Sequence, residues 1–467
     1  MTDSAGMPTI PADVPLPTLD YSEHQAEQRS HAKGVRVSQL APIAAPPGEG
    51  PAPMPGAVAK PLPHPLPIPQ GARVLIYKQD PSVAEIGVRK AFLPRRVFAG
   101  PKDARISIAG LPIVTPNVFG DLLIDANANP NGFDAVHTFA IVRMTLTMYQ
   151  RALNGAALPW QWNTGGNTDV LSVFPHAGVT QNAFYSRSDK ALKFFFFDSG
   201  NPPKTIFTCR SLDIVSHETG HAVLDALKPG WLTSGNTPQT GGLHESFGDL
   251  SAIFLTLSQL DQCEAVIAQT KANLHATNFL VDLAEQFGLA LGRPNGLRNA
   301  DNDLKLSQVG TEVHAISQVF TGGMFDVLAD IFALERNEST RDDAAVLHDV
   351  AHYVAGLLLR AIAQAPASNA TFADVVNKML QIVVADGKPA AYRASIVTRF
   401  AFREVVSPNA LSLANGDGDG EAEPGYTDAE GAVQDRTGCC GTMQLGEYID
   451  DIPSLEQERE ELAKAFA

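Results

Sequence analysis

The sequence predicts an α+β fold with two lobes, a β-rich N-terminal lobe and a mainly helical C-terminal lobe. From residue 71 onward, short runs of β-branched and aromatic residues alternate with Gly and Pro, a pattern typical of strands. Beyond residue 229, apolar residues recur mostly at helical spacing. A predicted helix that contains two histidines ends the first region. We therefore assign residues 71–228 to the β-rich lobe and residues 229–408 to the helical lobe.

The two ends of the chain differ in composition from the lobes. Residues 1–70 form a leader rich in Pro and Ala, and residues 409–467 form an acidic tail rich in Gly. Segments of this kind bury too little apolar surface to offset the entropy lost on ordering. We therefore expect a flexible leader and a solvated tail, in which Cys439 and Cys440 are exposed thiols. A leader that inhibits by crossing the active-site cleft is the alternative.

The β-rich lobe is predicted to contain three short strands, one long helix and one hairpin. The helix has apolar side chains at helical spacing after an Asn-Gly turn signal. The second run of the hairpin contains four consecutive phenylalanines, as expected for a strand buried on both faces. The predicted strands cover residues 74–77, 106–108 and 122–124, the helix residues 135–153, and the hairpin residues 182–186 and 192–197.

The helical lobe is predicted from apolar periodicity alone. After an apolar helix that follows residue 242, five more segments have apolar side chains at helical spacing. These segments are residues 278–291, 313–334, 344–363, 372–384 and 392–405.

Composition argues against several classes of function. The 467-residue chain has 51 acidic and 35 basic residues, a net charge of −16. This charge disfavours binding to nucleic acid or to an anionic membrane. The chain does not begin with a basic segment followed by an apolar one, and it has no run of about 18 apolar residues. We therefore expect a cytoplasmic protein without nucleic-acid or membrane partners, with non-classical export as the alternative.

The residues that carry chemistry begin at position 217, where the sequence reads His-Glu-Thr-Gly-His. Residues four apart lie on one face of a helix. His217 and His221 can therefore direct two imidazole nitrogens at one metal ion. Pro229 and Gly230 end the predicted helix. A hydrolytic zinc ion usually has three protein ligands, so the third must come from elsewhere in the chain.

Glu245 is the predicted third ligand. A loop rich in Gly, Pro and Thr, residues 228–242, precedes a second apolar helix, and Glu245 is expected in the first turns of that helix. Asp249, one helical turn later, is placed to accept the free ring N–H of a ligand histidine and to fix its tautomer. The pattern therefore predicts a zinc site formed by His217, His221 and Glu245.

These residues resemble the thermolysin-like gluzincin metallopeptidases, a family that includes fungalysin-type enzymes. Two further segments match. Residues 182–185, Asn-Ala-Phe-Tyr, are similar to the family's substrate-binding edge strand, and residues 313–317 are similar to the start of a later helix that carries a histidine. The resemblance implies a two-lobe zincin fold with the HExxH helix between the lobes. It also implies a zinc-dependent endopeptidase that hydrolyses internal bonds of peptides or proteins.

The resemblance implies roles for individual residues. Glu218 would be the general base that takes a proton from the attacking water. His314 would donate a hydrogen bond to the oxyanion of the transition state. Asn182 and the backbone of Ala183 would bind the substrate main chain, and Arg298 would bind a substrate carbonyl on the leaving-group side.

The chain departs from the family at two positions near the predicted site. The Asp expected five residues before His314 is Val309, so Glu312 is the candidate that would orient this histidine. The Tyr expected nine residues before the third ligand is Asn236. These departures favour, as an alternative function, a catalytically weak or inactive zincin-fold scaffold that binds metal and partner proteins.

Two smaller expectations concern calcium and substrate preference. Asp213 matches one calcium ligand of the family, but Thr256 stands where a later acidic ligand is expected, so a calcium site is not predicted. The Asp/Asn/Gly alternation after residue 414 ends in Tyr426, where a calcium loop requires a bidentate Glu. Ile214, beside the expected cleft, predicts a preference for an apolar residue after the scissile bond.

Overall fold

The structure, a computed structural model, combines helix and sheet, and helices make up about half of the described residues. It describes residues 71–83, 87–200, 202–233, 235–290 and 296–407. The predicted leader and tail, including Cys439, Cys440 and the loop that ends at Tyr426, lie outside the described residues. The described elements belong to one compact unit that starts at Pro69. The mixture of helix and sheet confirms the α+β fold class. The division into two lobes at residue 228 stays a prediction.

The strands in the described part of the chain are short and form four small sheets. The largest sheet has the order β3-β4-β6-β5, in which β3, β4 and β6 are parallel and β5 is an antiparallel edge strand. The other three sheets are the antiparallel pairs β1-β2, β7-β8 and β9-β10. The strands are β1 (Ala72–Tyr77), β2 (Val88–Leu93), β3 (Ile106–Ile108), β4 (Leu171–Phe174), β5 (Ala183–Ser186), β6 (Ala191–Phe194), β7 (Phe196–Ser199), β8 (Lys204–Phe207), β9 (Asp282–Leu283) and β10 (Arg298–Asn299).

The helices of the described ranges lie mainly after residue 211. They are α1 (Pro130–Ala152), α2 (Leu212–Leu227), α3 (Pro238–Leu257), α4 (Leu260–Thr270), α5 (Glu285–Ala290), α6 (Val313–Glu335), α7 (Asp343–Gln364), α8 (Phe372–Ala385) and α9 (Ala390–Phe402). Four of the five helices predicted after residue 278 are confirmed, as α6 to α9, with small shifts of their ends.

The predicted hairpin is confirmed as β5 and β6, but the run of phenylalanines is not one strand. Ala183 pairs with Phe194 and Ser186 with Ala191. The Phe195 amide donates to the Thr208 hydroxyl, 3.0 Å away, and therefore leaves the ladder. As a result β6 ends before Phe195 and β7 begins after it.

The strand predicted at residues 122–124 is wrong. Only Leu122 makes an isolated bridge, to Val74 of β1. The Arg73 amide donates to the Asp121 carboxylate, 2.9 Å away, where a strand would offer a backbone carbonyl. Because the Asp121 carboxylate accepts the Arg73 amide in place of a backbone carbonyl, the strand pairing does not extend.

The helix predicted at residues 278–291 is mostly wrong. Its first part enters β9, where Leu283 pairs with Arg298 of β10. Ala284 then has a left-handed backbone with φ of 52°, which separates β9 from the short helix α5. Tertiary strand pairing therefore overrides the apolar periodicity of this segment.

Two helix starts also differ from expectation. Asn129 caps α1 by accepting the Gly132 amide at 3.0 Å, so the Asn-Gly signal lies inside the helix rather than before it. Thr237 caps α3, and Pro238 follows at its first position. The predicted loop 228–242 is therefore shorter, and Glu245 lies in the first turns of α3, as expected.

Helices α2 and α3 cross at very close range because both have glycines at the contact. A Cβ added to Gly248 would lie 2.6 Å from the His217 ring, and one added to Gly220 would meet the Ser251 hydroxyl. Every residue of α3 is buried. The two helices can therefore bring short side chains of one within reach of the other.

Two helices have the length and hydropathy of membrane spans. Helices α6 and α7 each contain an apolar stretch long enough to cross a membrane. However, 83% and 67% of these stretches are buried against the rest of the protein, as in core helices. The expectation that the protein has no membrane partner stays a prediction.

Candidate metal centre

Helix α2 presents the HExxH residues inside the protein. Ser211 caps the helix, and its hydroxyl accepts from the Ile214 amide. His217 is 4% exposed, and Glu218 and His221 are fully buried. The Nε2 atoms of the two histidines lie 2.9 Å apart. The predicted i, i+4 arrangement therefore directs both imidazoles at one point.

Helix α3 brings Glu245 to the same point. Its Oε2 lies 3.5 Å from His217 Nε2, and its Oε1 lies 3.7 Å from His221 Nε2. One ligand atom from each of the three residues lies within 4.8 Å of the other two. We call His217, His221 and Glu245 the metal centre. Two imidazoles and one carboxylate are the donor set of many hydrolytic zinc sites, so these residues fit a zinc ion.

Two other groups of side chains in the described residues could hold a metal ion by the same distance criterion. One, the Asp134 cluster, consists of Asp134, His176 and Cys209. The second consists of His275, Asp301 and Asp326. In both groups an arginine already pairs with a carboxylate: Arg210 with Asp134, and Arg403 with Asp326.

Asp249 and Arg298 lie at the Nδ1 side of the His217 ring. Asp249 Oδ1 lies 3.0 Å from His217 Nδ1. The Arg298 guanidinium donates to both oxygens of Asp249, at 2.6 and 2.9 Å. Burial opposes ionisation of Asp249, but Arg298 and His217 outweigh it and lower the pKa of this carboxyl. Asp249 therefore stays anionic and can hold the proton of His217 on Nδ1, which leaves Nε2 for a metal.

The two histidines of the metal centre respond to opposite influences. Burial lowers the pKa of His217, but hydrogen bonds to Asp249 and Glu245 outweigh it and raise the pKa to about 10. Burial dominates at His221 and lowers its pKa well below the usual value. The carboxylates around His217 therefore favour its cationic form, whereas burial disfavours the cationic form of His221.

His314 lies at the start of α6 and faces the metal centre. Its Nε2 is 3.2 Å from Glu245 Oε2, and its Nδ1 is 2.6 Å from Glu312 Oε1. Glu312 also caps α6 by accepting the amides of His314 and Ala315. Burial opposes protonation, but the two carboxylates raise the pKa of His314 to about 10. Glu312, rather than an Asp at position 309, therefore orients this histidine.

The predicted substrate strand is an edge strand, as expected. Ala183 begins β5, and among the described residues β5 pairs in the sheet with β6 alone. The Asn182 side-chain oxygen accepts from the Ala183 amide at 2.8 Å. Asn182 and Ala183 are both buried. The local role of Asn182 in this structure is thus to hold the start of the strand.

Tyr185 and Asn236 make contacts that stabilise the scaffold. The Tyr185 hydroxyl donates to Asp225, 2.7 Å away. Asn236 donates to the carbonyls of Gly230 and Thr233 and accepts from the Asn369 amide. Neither side chain is directed to His314 by these contacts.

Asp213 also has a structural contact. Its Oδ2 accepts the Ala284 amide at 3.1 Å. Next to it, a small pocket beside His217 is lined by Ile214, Leu283 and Leu297 among others. The apolar walls of this pocket lie between α2 and the β9-β10 pair.

Sequence reasoning assigned no role to His244, which contacts the metal centre. Its Nδ1 lies 2.7 Å from His221 Nδ1. The signal was available, because His244 directly precedes Glu245 on the same helix. Periodicity alone could not show it, since the contact depends on the close crossing of α2 and α3.

Comparison with known proteins gives one structural likeness of interest. No family model and no curated protein matches the chain. Among solved structures, the chain is similar to the precursor of protealysin, a metalloproteinase from Serratia proteamaculans, with a TM-score of 0.38 and 12% identity. The match covers 72% of this chain and 87% of that one. Because likeness at this level does not define a shared fold, the functional argument rests on the metal centre.

Proposed function

We propose that the protein is a zinc-dependent endopeptidase of the thermolysin-like type that hydrolyses internal peptide bonds. The observation that carries this proposal is the convergence of His217, His221 and Glu245 beside Glu218. Zinc bound there would act as a Lewis acid on the attacking water and on the scissile carbonyl. Three protein ligands leave a coordination position for the reaction, whereas purely structural zinc sites usually have four.

Glu218 is proposed as the general base. It follows His217 directly on α2 and is fully buried. Its carboxylate would take a proton from the attacking water and later deliver that proton to the leaving amine.

His314 is proposed to stabilise the oxyanion. Glu312 and Glu245 hold its ring from two sides, and both contacts favour the protonated ring. The Nε2–H would then donate to the oxygen on which negative charge develops. Removal of one such donor typically costs about 2.7–4 kcal/mol of transition-state stabilisation.

The substrate would lie along β5 and the pocket beside His217. An extended peptide would add to the edge of the sheet at Asn182 and Ala183. The Asn182 side chain would then exchange its contact with the Ala183 amide for substrate. Arg298 would bind the carbonyl on the leaving-group side. The walls formed by Ile214 and Leu297 support a preference for an apolar residue after the scissile bond.

The proposal is tested by casein hydrolysis with and without 1,10-phenanthroline. We expect cleavage that the chelator abolishes and that zinc restores. Full-length protein that binds zinc but does not cleave casein, or any other unfolded protein offered, would instead support a metal-binding scaffold. Cleavage that is insensitive to chelation would exclude the metal mechanism.

A further inference from the structure

His244 is buried against the Nδ1 side of the His221 ring, a proposed metal ligand. It is fully buried, as is His221. The two Nδ1 atoms are 2.7 Å apart, whereas the ring centroids are 4.8 Å apart. The rings therefore meet edge to edge through these nitrogens, with an angle of 24° between their planes. This is the geometry of one N–H···N hydrogen bond.

The direction of this hydrogen bond follows from the ligand role of His221. A neutral imidazole has one N–H and one acceptor nitrogen. If His221 binds a metal through Nε2, its proton must be on Nδ1, which then donates to His244. His244 must accept through Nδ1 and so must have its own proton on Nε2. A doubly protonated His244 would place two N–H groups against each other.

The second nitrogen of His244 adds an independent observation. Its Nε2 has no hydrogen-bond partner among the described residues. A buried N–H without an acceptor destabilises the fold. An apolar side chain of similar size would avoid this cost. Within the described part of the chain, the one side-chain hydrogen bond of this histidine is therefore to a proposed metal ligand.

We propose that His244 is a positioning residue of the metal centre, a neutral acceptor that holds His221 in the Nδ1–H tautomer and directs its Nε2 at the metal. The inference rests on the proposed zinc site but not on peptidase activity. It gives the two histidine ligands unlike partners, because His217 contacts the anionic Asp249 and His221 contacts a neutral ring. On the His217 side, the Arg298 guanidinium donates to Asp249 and compensates its charge.

The test compares His244→Leu with His244→Asn in the full-length protein. Leu has no acceptor, whereas the Asn side-chain oxygen can replace Nδ1. We expect zinc affinity, measured by competition with a chelator of known affinity, to fall about 10–100-fold in His244→Leu. It should stay within about threefold of the parent in His244→Asn. The zinc-free His244→Leu protein should unfold close to the temperature of the parent, because the variant removes one unpartnered nitrogen, His244 Nε2, and leaves another, His221 Nδ1.

A second measurement reads the tautomers directly. In the zinc-loaded protein, ¹⁵N NMR of the imidazoles should place the proton of His221 on Nδ1 and that of His244 on Nε2. The inference is overturned if His244 is protonated on Nδ1, or if His244→Leu binds zinc as tightly as the parent. Loss of zinc-free stability in both variants would also contradict it, because it would show a packing role. Zinc binding with these properties but without casein cleavage would reject the peptidase and leave this inference intact.

Discussion

The metal centre and the Asp134 cluster have similar side chains but different surroundings. Both place a buried carboxylate beside histidine. In the Asp134 cluster, Arg210 donates to both carboxylate oxygens at 2.7 and 2.9 Å, and His176 lies 2.9 Å from one of them. In the metal centre, Glu245 contacts imidazoles, and the nearby Arg298 is held by Asp249 instead.

This difference distinguishes a structural ion pair from a candidate metal site. A buried carboxylate needs a compensating charge, because desolvation of an unpaired ion is costly. At Asp134 the compensating charge is the side chain of Arg210. Near Glu245, the arginine Arg298 pairs with Asp249 instead. The charge that compensates Glu245 is therefore left to protonated histidines or to a metal cation. Clusters of His, Asp and Cys are therefore informative only together with the arginines around them.

The largest expected effect comes from Glu218→Gln, which keeps the shape of the metal centre but removes the base. We expect casein hydrolysis to fall by about 10²–10⁴-fold, the usual contribution of a general base. Zinc affinity should change little, since Glu218 is not one of the three ligands. Activity assays and zinc titration of the same sample check both parts. Retained activity would reject Glu218 as the base.

The opposite behaviour is expected at the Asp134 cluster. Asp134→Ala leaves Arg210 without its partner and should destabilise the fold by about 3 kcal/mol, at the low end for a buried pair because Arg210 is partly exposed. Zinc content should be unchanged. Denaturant unfolding and metal analysis test the two statements. Loss of zinc in this variant would contradict the comparison, because it would make the cluster a metal site.

A smaller effect is expected from Gly248→Ala at the crossing of α2 and α3. The added methyl group would lie 2.6 Å from the His217 ring, and overpacking of this kind costs about 1–3 kcal/mol. We also expect weaker zinc binding, since His217 must move. Gly310→Ala is the matched control, because nothing lies within 4 Å of its added methyl group. Equal zinc affinity in both variants would show that the close crossing does not position His217.

The smallest effect on stability is expected from Glu312→Ala, which removes the cap of α6 and the partner of His314. The loss of a cap costs about 1 kcal/mol, and activity should fall as well because His314 loses its orientation. Asp342→Ala removes a comparable cap, at the start of α7, where the side chain accepts the Ala345 amide. That control should lose similar stability but no activity. Parallel loss of activity in both would assign Glu312 a capping role alone.

The sequence predicted what depends on local spacing. The HExxH helix, the helix of Glu245 with Asp249 one turn on, and the hairpin around Ala183 all follow from periodicity and spacing within short segments. What it could not predict depends on contacts between distant segments. Strand pairing of Leu283 with Arg298 breaks a predicted helix, and the close crossing of α2 and α3 places His244 behind His221.

The central claim is tested most directly by the zinc content of the purified full-length protein and of a His221→Ala, Glu245→Ala double variant. The account predicts one zinc per chain in the parent protein, bound through His217, His221 and Glu245, and no stoichiometric zinc in the double variant. A parent protein that takes up no zinc when it is supplied, or a double variant that still binds one equivalent, would contradict it.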